Sequence, residues 1–216
     1  MSPVASRDTL QKAVSQLSAD PALLPLVKQY GLPTITPHEN YYQELVESII
    51  SQQLSVKAAV AINQRFLALF GGTFPQPAAI LSKDIEEYRS VGLSRQKASY
   101  IRDLAAKVTD GSVEFSTLDA LTNDEITSEL TSVKGVGVWT VHMFLIFCMG
   151  RLDVLPTGDL GIKNGIKKLY NLSETPTHDE MAMIAVRNHW HPYESVASWY
   201  VWRSLDNMPS LEAEGL

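Results

Sequence analysis

The sequence predicts an all-α fold, and three observations carry that expectation. Apolar residues recur at helical spacing along most of the 216 residues. Glycines and prolines interrupt the pattern at intervals suited to helix–helix connections. No stretch of period-2 alternation is long enough to build a sheet. A hydrophobic content of 45% and a charged content of 19% are ordinary for a soluble globular chain, which at this length can bury a good core in one domain or in two small lobes.

The elements follow in order. The stretch DTLQKAVSQLSADPALLPLVKQYG (8–31) is helical with pauses at Pro21 and Gly31. A long amphipathic stretch, 40–72, closes on Gly71 and Gly72, and its break at 51–55 predicts two helices joined by a tight turn. Residues 82–111 hold two more helices, with VGLS (91–94) as the turn between them. The next helix, 122–133, opens with Thr122 and Glu125 in capping-box spacing. After it comes KGVG (134–137) and then the strongly apolar VHMFLIFCMG (141–150), in which Trp139, Met143, Phe144 and Phe147 follow helical spacing and are expected in the core. GDLGIKNGIKKLY, HDEMAMIAVRNHW and SVASWYVWRSL supply the last helices.

Several functions are excluded or disfavoured. The single cysteine, Cys148, rules out an internal disulfide and a four-cysteine iron–sulfur or zinc site. The first 30 residues lack a basic segment followed by an apolar run, so no secretory signal is expected. The longest apolar run, 141–150, is too short to span a bilayer. His189 and His191 flank Trp190, but a zinc site would need a third ligand that the sequence does not offer. A net charge of −6 argues, by itself, against a nucleic-acid partner.

The glycine stretch qualifies that last point. Helix, KGVG and helix make a helix–hairpin–helix over about 123–150, with Gly135 and Gly137 free to take positive φ and to allow close backbone approach. The unpaired N–H groups at the start of the second helix point outward, and they can hold a phosphate with little side-chain charge. A plain interhelical turn is the alternative reading. Arg89, Arg95 and Lys97 cluster around the second glycine turn, where they either reach phosphates or face solvent. Asp159 sits where it can N-cap the helix that follows, and it can serve as a site carboxylate as well. The acidic terminal stretch EAEGL is expected to be disordered.

The span TSVKGVGVWTVHMFLIFCMGRLDVLPTGDLGIKNGIKKLYNL (131–172) resembles the signature of the HhH-GPD superfamily of DNA glycosylases. Within it the chain is similar to the AlkA-like and fungal 3-methyladenine DNA glycosylases. LVESIISQQLSVKAA (45–59), VGLSRQKASYI (91–101) and WHPYESVASWYVWR (190–203) extend the likeness over roughly residues 40 to 205. The resemblance implies two helical lobes with an interlobe active-site cleft. Residues 41–155 would form the central lobe, and 1–40 would join 156–216 in the other. It also implies that a damaged nucleotide is flipped out of double-stranded DNA into a pocket.

The site residues carry over position by position. Asp159 matches the catalytic aspartate, and Trp139 and Met143 fall where the family lines the base pocket. Leu54, with Gln53, falls where a wedge enters the duplex, though Leu54 can equally be a core residue. Lys134, Gly135, Val136 and Gly137 match the phosphate-binding hairpin. The carbonyls of Thr131, Val133 and Val136 match a site for a structural monovalent cation, and no cofactor is required. Trp139 stands where lyase relatives carry a Schiff-base lysine, which implies a monofunctional enzyme. His142 and Gly158 depart from residues that some relatives carry beside the pocket.

The implied activity is excision of alkylated purines such as 3-methyladenine and 7-methylguanine in base excision repair. A different class remains open: a homologue that binds lesions or abasic sites with little glycosylase activity. Either protein would be a monomer acting on DNA with a damaged or abasic nucleotide and not on membranes, nuclear in a eukaryote and cytoplasmic otherwise.

Overall fold

The computed structural model describes residues 2–205; the acidic stretch at 212–216 lies outside them. Among the described residues the chain is helical, and its only extended pairing is an isolated antiparallel bridge between Val4 and Arg151. Two compact units divide the chain: one covers Glu39–Val141, and the other joins the segment up to His38 with the chain from His142 onward.

The terminal segment carries α1 (Arg7–Leu17) and α2 (Leu24–Tyr30), and the 39–141 unit begins with α3 (Tyr41–Ser51) and α4 (Val56–Ala68). Then come α5 (Pro77–Ser82), α6 (Ile85–Ser90), α7 (Arg95–Thr109), a 3-10 turn at Leu118–Ala120 and α8 (Asn123–Thr131). Helix α7 is the centre of this unit and packs against α3, α5 and α6. Its buried face carries Ala98, Ile101, Leu104 and Ala105 against Ile49, Ile50, Ile80 and Tyr88 from the helices around it, all buried. Side-chain caps set the boundaries. Ser55 accepts from the Ala58 N–H at the start of α4, and Ser94 accepts from the Lys97 N–H at the start of α7. The expected capping box forms at α8, where Thr122 and Glu125 bond each other's backbone N–H. Helix α5 was not legible in the sequence: its six residues begin with Pro77 and have no side-chain N-cap.

Helix α9 (Val138–Met143) crosses the division between the units and continues as a π-helical turn, Phe144–Cys148, that is wholly buried. Beyond it come α10 (Leu160–Leu169), α11 (His178–Arg187) and α12 (Glu194–Arg203); α12 packs against α10, α1 and α2. Ser195–Trp202 of α12 is buried throughout, so this helix is covered on every side rather than on a single face, with Ser195 and Ser198 among its buried residues. It lies close to α10 because Gly165 has no side chain: a Cβ there would sit 2.4 Å from Val201 Cγ1.

The second unit boundary falls at 141–142 and not at the expected 155–156. The reason is backbone hydrogen bonding after the π turn. Ala5 N–H donates to Gly150 O at 2.7 Å, His38 N–H to Cys148 O at 2.8 Å and Leu152 N–H to Pro3 O at 2.9 Å. These bonds stitch 148–152 to the N-terminal segment, so the second half of the helix–hairpin–helix belongs with the termini. No helix among the described residues is long and apolar enough to cross a membrane.

Candidate nucleic-acid interface and active site

The glycine hairpin lies at 134–137, between α8 and α9. Val133 and Val136 are buried and anchor its underside, while Lys134, Gly135 and Gly137 are exposed. The two glycines, both free to take positive φ, have different jobs. Only Gly135 does, at +79°, and a Cβ there would lie 2.0 to 2.6 Å from ring atoms of Tyr100. Gly137 lacks positive φ, and its carbonyl already accepts the Val141 N–H of α9. A Cβ on Gly137 would meet nothing within 4 Å, so the open space there is available to an incoming group.

Lys134 is held from below. Its backbone N–H donates to Asp103 Oδ2 at 2.9 Å, and its Nζ lies 3.4 Å from Asp103 Oδ1 while the side chain remains 69% exposed. The ion pair is too exposed to contribute more than a few tenths of a kcal/mol (~0.2–1). It fixes the direction of the side chain without removing it from solvent.

The turn between α3 and α4 is the second exposed element of this unit. Gln53 is exposed at φ +58°, a left-handed conformation that costs a non-glycine residue about 1–2 kcal/mol. Leu54 is half-buried, so part of its side chain remains exposed at the turn. Two contacts hold this turn. The Gln52 side-chain amide donates to Gly135 O at 3.0 Å, which ties the turn to the hairpin. The Lys97 ammonium donates to Ile50 O at 2.7 Å and Gln52 O at 2.5 Å, where it satisfies carbonyls left over at the end of α3. Burial lowers the pKa of Lys97.

Of the three basic residues expected to face phosphate or solvent, Lys97 is half-buried and turns its ammonium to the carbonyls of Ile50 and Gln52. Arg89 and Arg95 converge on Glu86, at 2.6 and 2.7 Å. His191 pairs with Glu194 at 3.0 Å, and no group of three metal-ligating side chains occurs among the described residues.

Trp139 and Met143 lie one turn apart on α9 but in different surroundings. Trp139 is 44% exposed and Met143 fully buried, so only the tryptophan presents a surface to a ligand. Trp139 is thus not the core residue that the helical spacing suggested. Met143, like Phe144 and Phe147, is core.

In the other unit, Asp159 closes the turn after Pro156 and N-caps α10, its Oδ1 accepting the Ile162 N–H at 2.8 Å. The same oxygen accepts the indole N–H of Trp202 at 2.9 Å. Trp202 is buried and packs on Phe147 with ring centroids 5.7 Å apart. The carboxylate is therefore fixed by two donors from different elements and is only half-buried. On either side of it Gly158 and Leu160 are exposed, and a Cβ on Gly158 would meet nothing within 4 Å. Thr157 Oγ1 lies 2.9 Å from His178 Nδ1.

Residues 46–189 match the HhH-GPD superfamily of base excision DNA repair proteins. DNA-3-methyladenine glycosylase 1 of Schizosaccharomyces pombe is 35% identical over 184 residues, which cover 84% of this chain and 80% of that one. The putative DNA-3-methyladenine glycosylase YfjP of Bacillus subtilis is 31% identical over 200 residues, covering 90% of this chain and 66% of that protein. Among solved structures, the Schizosaccharomyces pombe 3-methyladenine DNA glycosylase in complex with abasic DNA superposes with a TM-score of 0.74 and 36% identity, covering 89% of this chain and 95% of that one.

Proposed function

Because the chain belongs to the HhH-GPD superfamily of base excision DNA repair proteins, we infer that it is a monofunctional DNA-3-methyladenine glycosylase. The observation that carries this reading furthest is Asp159: a half-buried carboxylate locked in place by the Ile162 amide and the Trp202 indole. It is oriented before any substrate arrives, as electrostatic stabilisation of a developing charge requires.

Alkylation at N3 or N7 makes a purine cationic. When its bond to C1′ breaks, the electron pair stays on the departing base and neutralises it, so no acid is needed. The sugar becomes an oxocarbenium ion, which the Asp159 carboxylate stabilises. Water then bonds to C1′ and gives up a proton, with Asp159 as the acceptor. The exposed Trp139 ring stacks on the electron-deficient base. Gln53 and Leu54 enter the gap that the flipped nucleotide leaves. The hairpin amides around Gly137 hold a phosphate, and Lys134 adds charge beside them.

Water is the only co-substrate, and the chain acts as a monomer on double-stranded DNA, in the nucleus of a eukaryotic host. The carbonyls of Thr131, Val133 and Val136 are hard oxygen donors suited to a monovalent cation, and Val133 O, which accepts the Val136 N–H at 3.1 Å, keeps a second lone pair for it. Such an ion would supply positive charge next to the bound phosphate.

The deciding experiment incubates the protein with duplex bearing 3-methyladenine or 7-methylguanine and measures free base by chromatography. Base should be released, strands should break only after alkali, and borohydride should trap no protein–DNA adduct, since Trp139 offers no amine. Tight binding to abasic DNA without base release would make the chain a lesion-binding homologue. A trapped adduct would overturn the monofunctional assignment.

A second expectation concerns the hairpin. Gly137→Asp meets no steric barrier inside the protein, so it should fold normally. Its carboxylate would face the incoming phosphate, and affinity should fall by a similar factor for every DNA sequence, because phosphate contacts position without reading bases. A correctly folded variant with undiminished affinity would take the hairpin out of the interface.

A further inference from the structure

Three side chains on one flank of α7, spaced three residues apart, each hold a different part of the exposed surface of the 39–141 unit. Lys97 donates to the carbonyls of Ile50 and Gln52 at 2.7 and 2.5 Å. The Tyr100 ring lies directly against the α-carbon of Gly135, where any Cβ would overlap it. Asp103 accepts the Lys134 N–H at 2.9 Å. The Gln52 amide bonded to Gly135 O closes the circuit: α7, Lys97, Gln52, Gly135, Tyr100 and back to α7. The contacts bridge up to 83 residues of sequence, so local propensity accounts for none of this arrangement.

We propose that α7 couples the 52–55 turn to the glycine hairpin, and that Lys97 is the positioning residue that keeps Gln53 and Leu54 set to fill a gap in DNA. The proposal rests on the reading of the turn and hairpin as DNA contacts. The physical need is specific. Helix α3 ends with carbonyls that have no partner in the helix, and Gln53 is held in a left-handed conformation that it would not choose alone. The ammonium of Lys97 gathers the carbonyls on either side of Ser51 and fixes the exit of the helix. Without it, the turn is free to relax, and the Gln52 bond that registers it against the hairpin loses its geometry. Lys97 acts through carbonyls and not through phosphate.

The test uses the full chain and two duplexes, one intact and one with a single tetrahydrofuran abasic analogue, with affinities measured by fluorescence anisotropy over a range of salt. Lys97→Met keeps the stem and removes the charge. The preference of the wild type for the gapped duplex should fall about tenfold, the scale of a lost charge-assisted hydrogen bond. The slope of log affinity against log salt should stay unchanged. A slope shallower by about 0.9 would make Lys97 a phosphate contact and overturn the proposal. Equal losses on both duplexes would reduce it to a general structural role and overturn it too.

Gln52→Leu breaks the turn–hairpin bond at a half-buried position and decides the matter if Lys97→Met does not fold. The same loss of preference supports the coupling, and full retention sinks it. In the double variant the two losses should be less than additive, because both cut one circuit. A wild type that binds both duplexes equally would instead remove the gap-filling premise, an outcome distinct from a wild-type preference that both variants retain.

Discussion

Asp159→Asn is expected to lower the rate of base release by about 100- to 1000-fold while leaving the fold and abasic-site binding in place. The geometry makes this substitution unusually clean. Asparagine is as good an N-cap as aspartate, and its amide oxygen can still accept the Ile162 N–H and the Trp202 indole, now held at 2.8 and 2.9 Å. What disappears is the negative charge facing the oxocarbenium ion. Single-turnover release from 7-methylguanine duplex measures the loss, and thermal melting with anisotropy on abasic duplex checks the rest. A variant that releases base at the wild-type rate would remove Asp159 from the chemistry. Asp159→Ala is a poorer probe of the same point. It loses the cap, about 1 kcal/mol, and strips a buried indole N–H of its acceptor, about 1–3 kcal/mol more. Its activity loss would therefore mix charge with a displaced α10.

The fate of Asp159 also shows what was legible in the sequence. Its N-cap role followed from type and position, since it stands immediately before an amphipathic helix. Its second donor, Trp202, lies 43 residues further on and was visible only as one aromatic among several in SWYVWR. Local signals were read well elsewhere: the Thr122–Glu125 pair marks a helix start that the structure contains, and the break at 51–55 separates α3 from α4. Short elements without such signals were missed, as α5 was.

Long-range polar contacts were the least legible. Lys97 looked like one of three basic residues around a surface turn, because nothing within a few residues of it reveals that its partners are the carbonyls of Ile50 and Gln52. The division at 141–142 was hidden for the same reason. Apolar spacing runs unbroken through 141–150, and only backbone bonds to Pro3, Ala5 and His38 show that this stretch sides with the termini. Trp139 illustrates the converse: its spacing matches the buried stripe of Phe144 and Phe147, yet it sits at the start of the helix, before the chain enters the core.

Gly135→Ala should be the most damaging single methyl group that can be added to the hairpin. Two costs coincide there. Alanine at φ +79° is disfavoured by about 1–2 kcal/mol, and its Cβ would overlap the Tyr100 ring at 2.0 to 2.6 Å, forcing a shift that costs about 1–3 kcal/mol in a packed setting. The melting temperature should drop by about 5–10 °C, and DNA affinity should fall on intact and gapped duplex alike as the hairpin moves away from α7. Gly137→Ala, one residue beyond Val136, faces neither cost and should melt like the wild type. Adding Tyr100→Ala to Gly135→Ala separates the two terms: it opens space for the methyl group but leaves the backbone strain. The double variant should regain stability only in part, once the separate cost of Tyr100→Ala alone is subtracted. Thermal melts of the four proteins beside the wild type provide the measurement. If Gly135→Ala melts with the wild type, the hairpin does not require the left-handed residue pressed against Tyr100, and the distinction drawn between its two glycines fails.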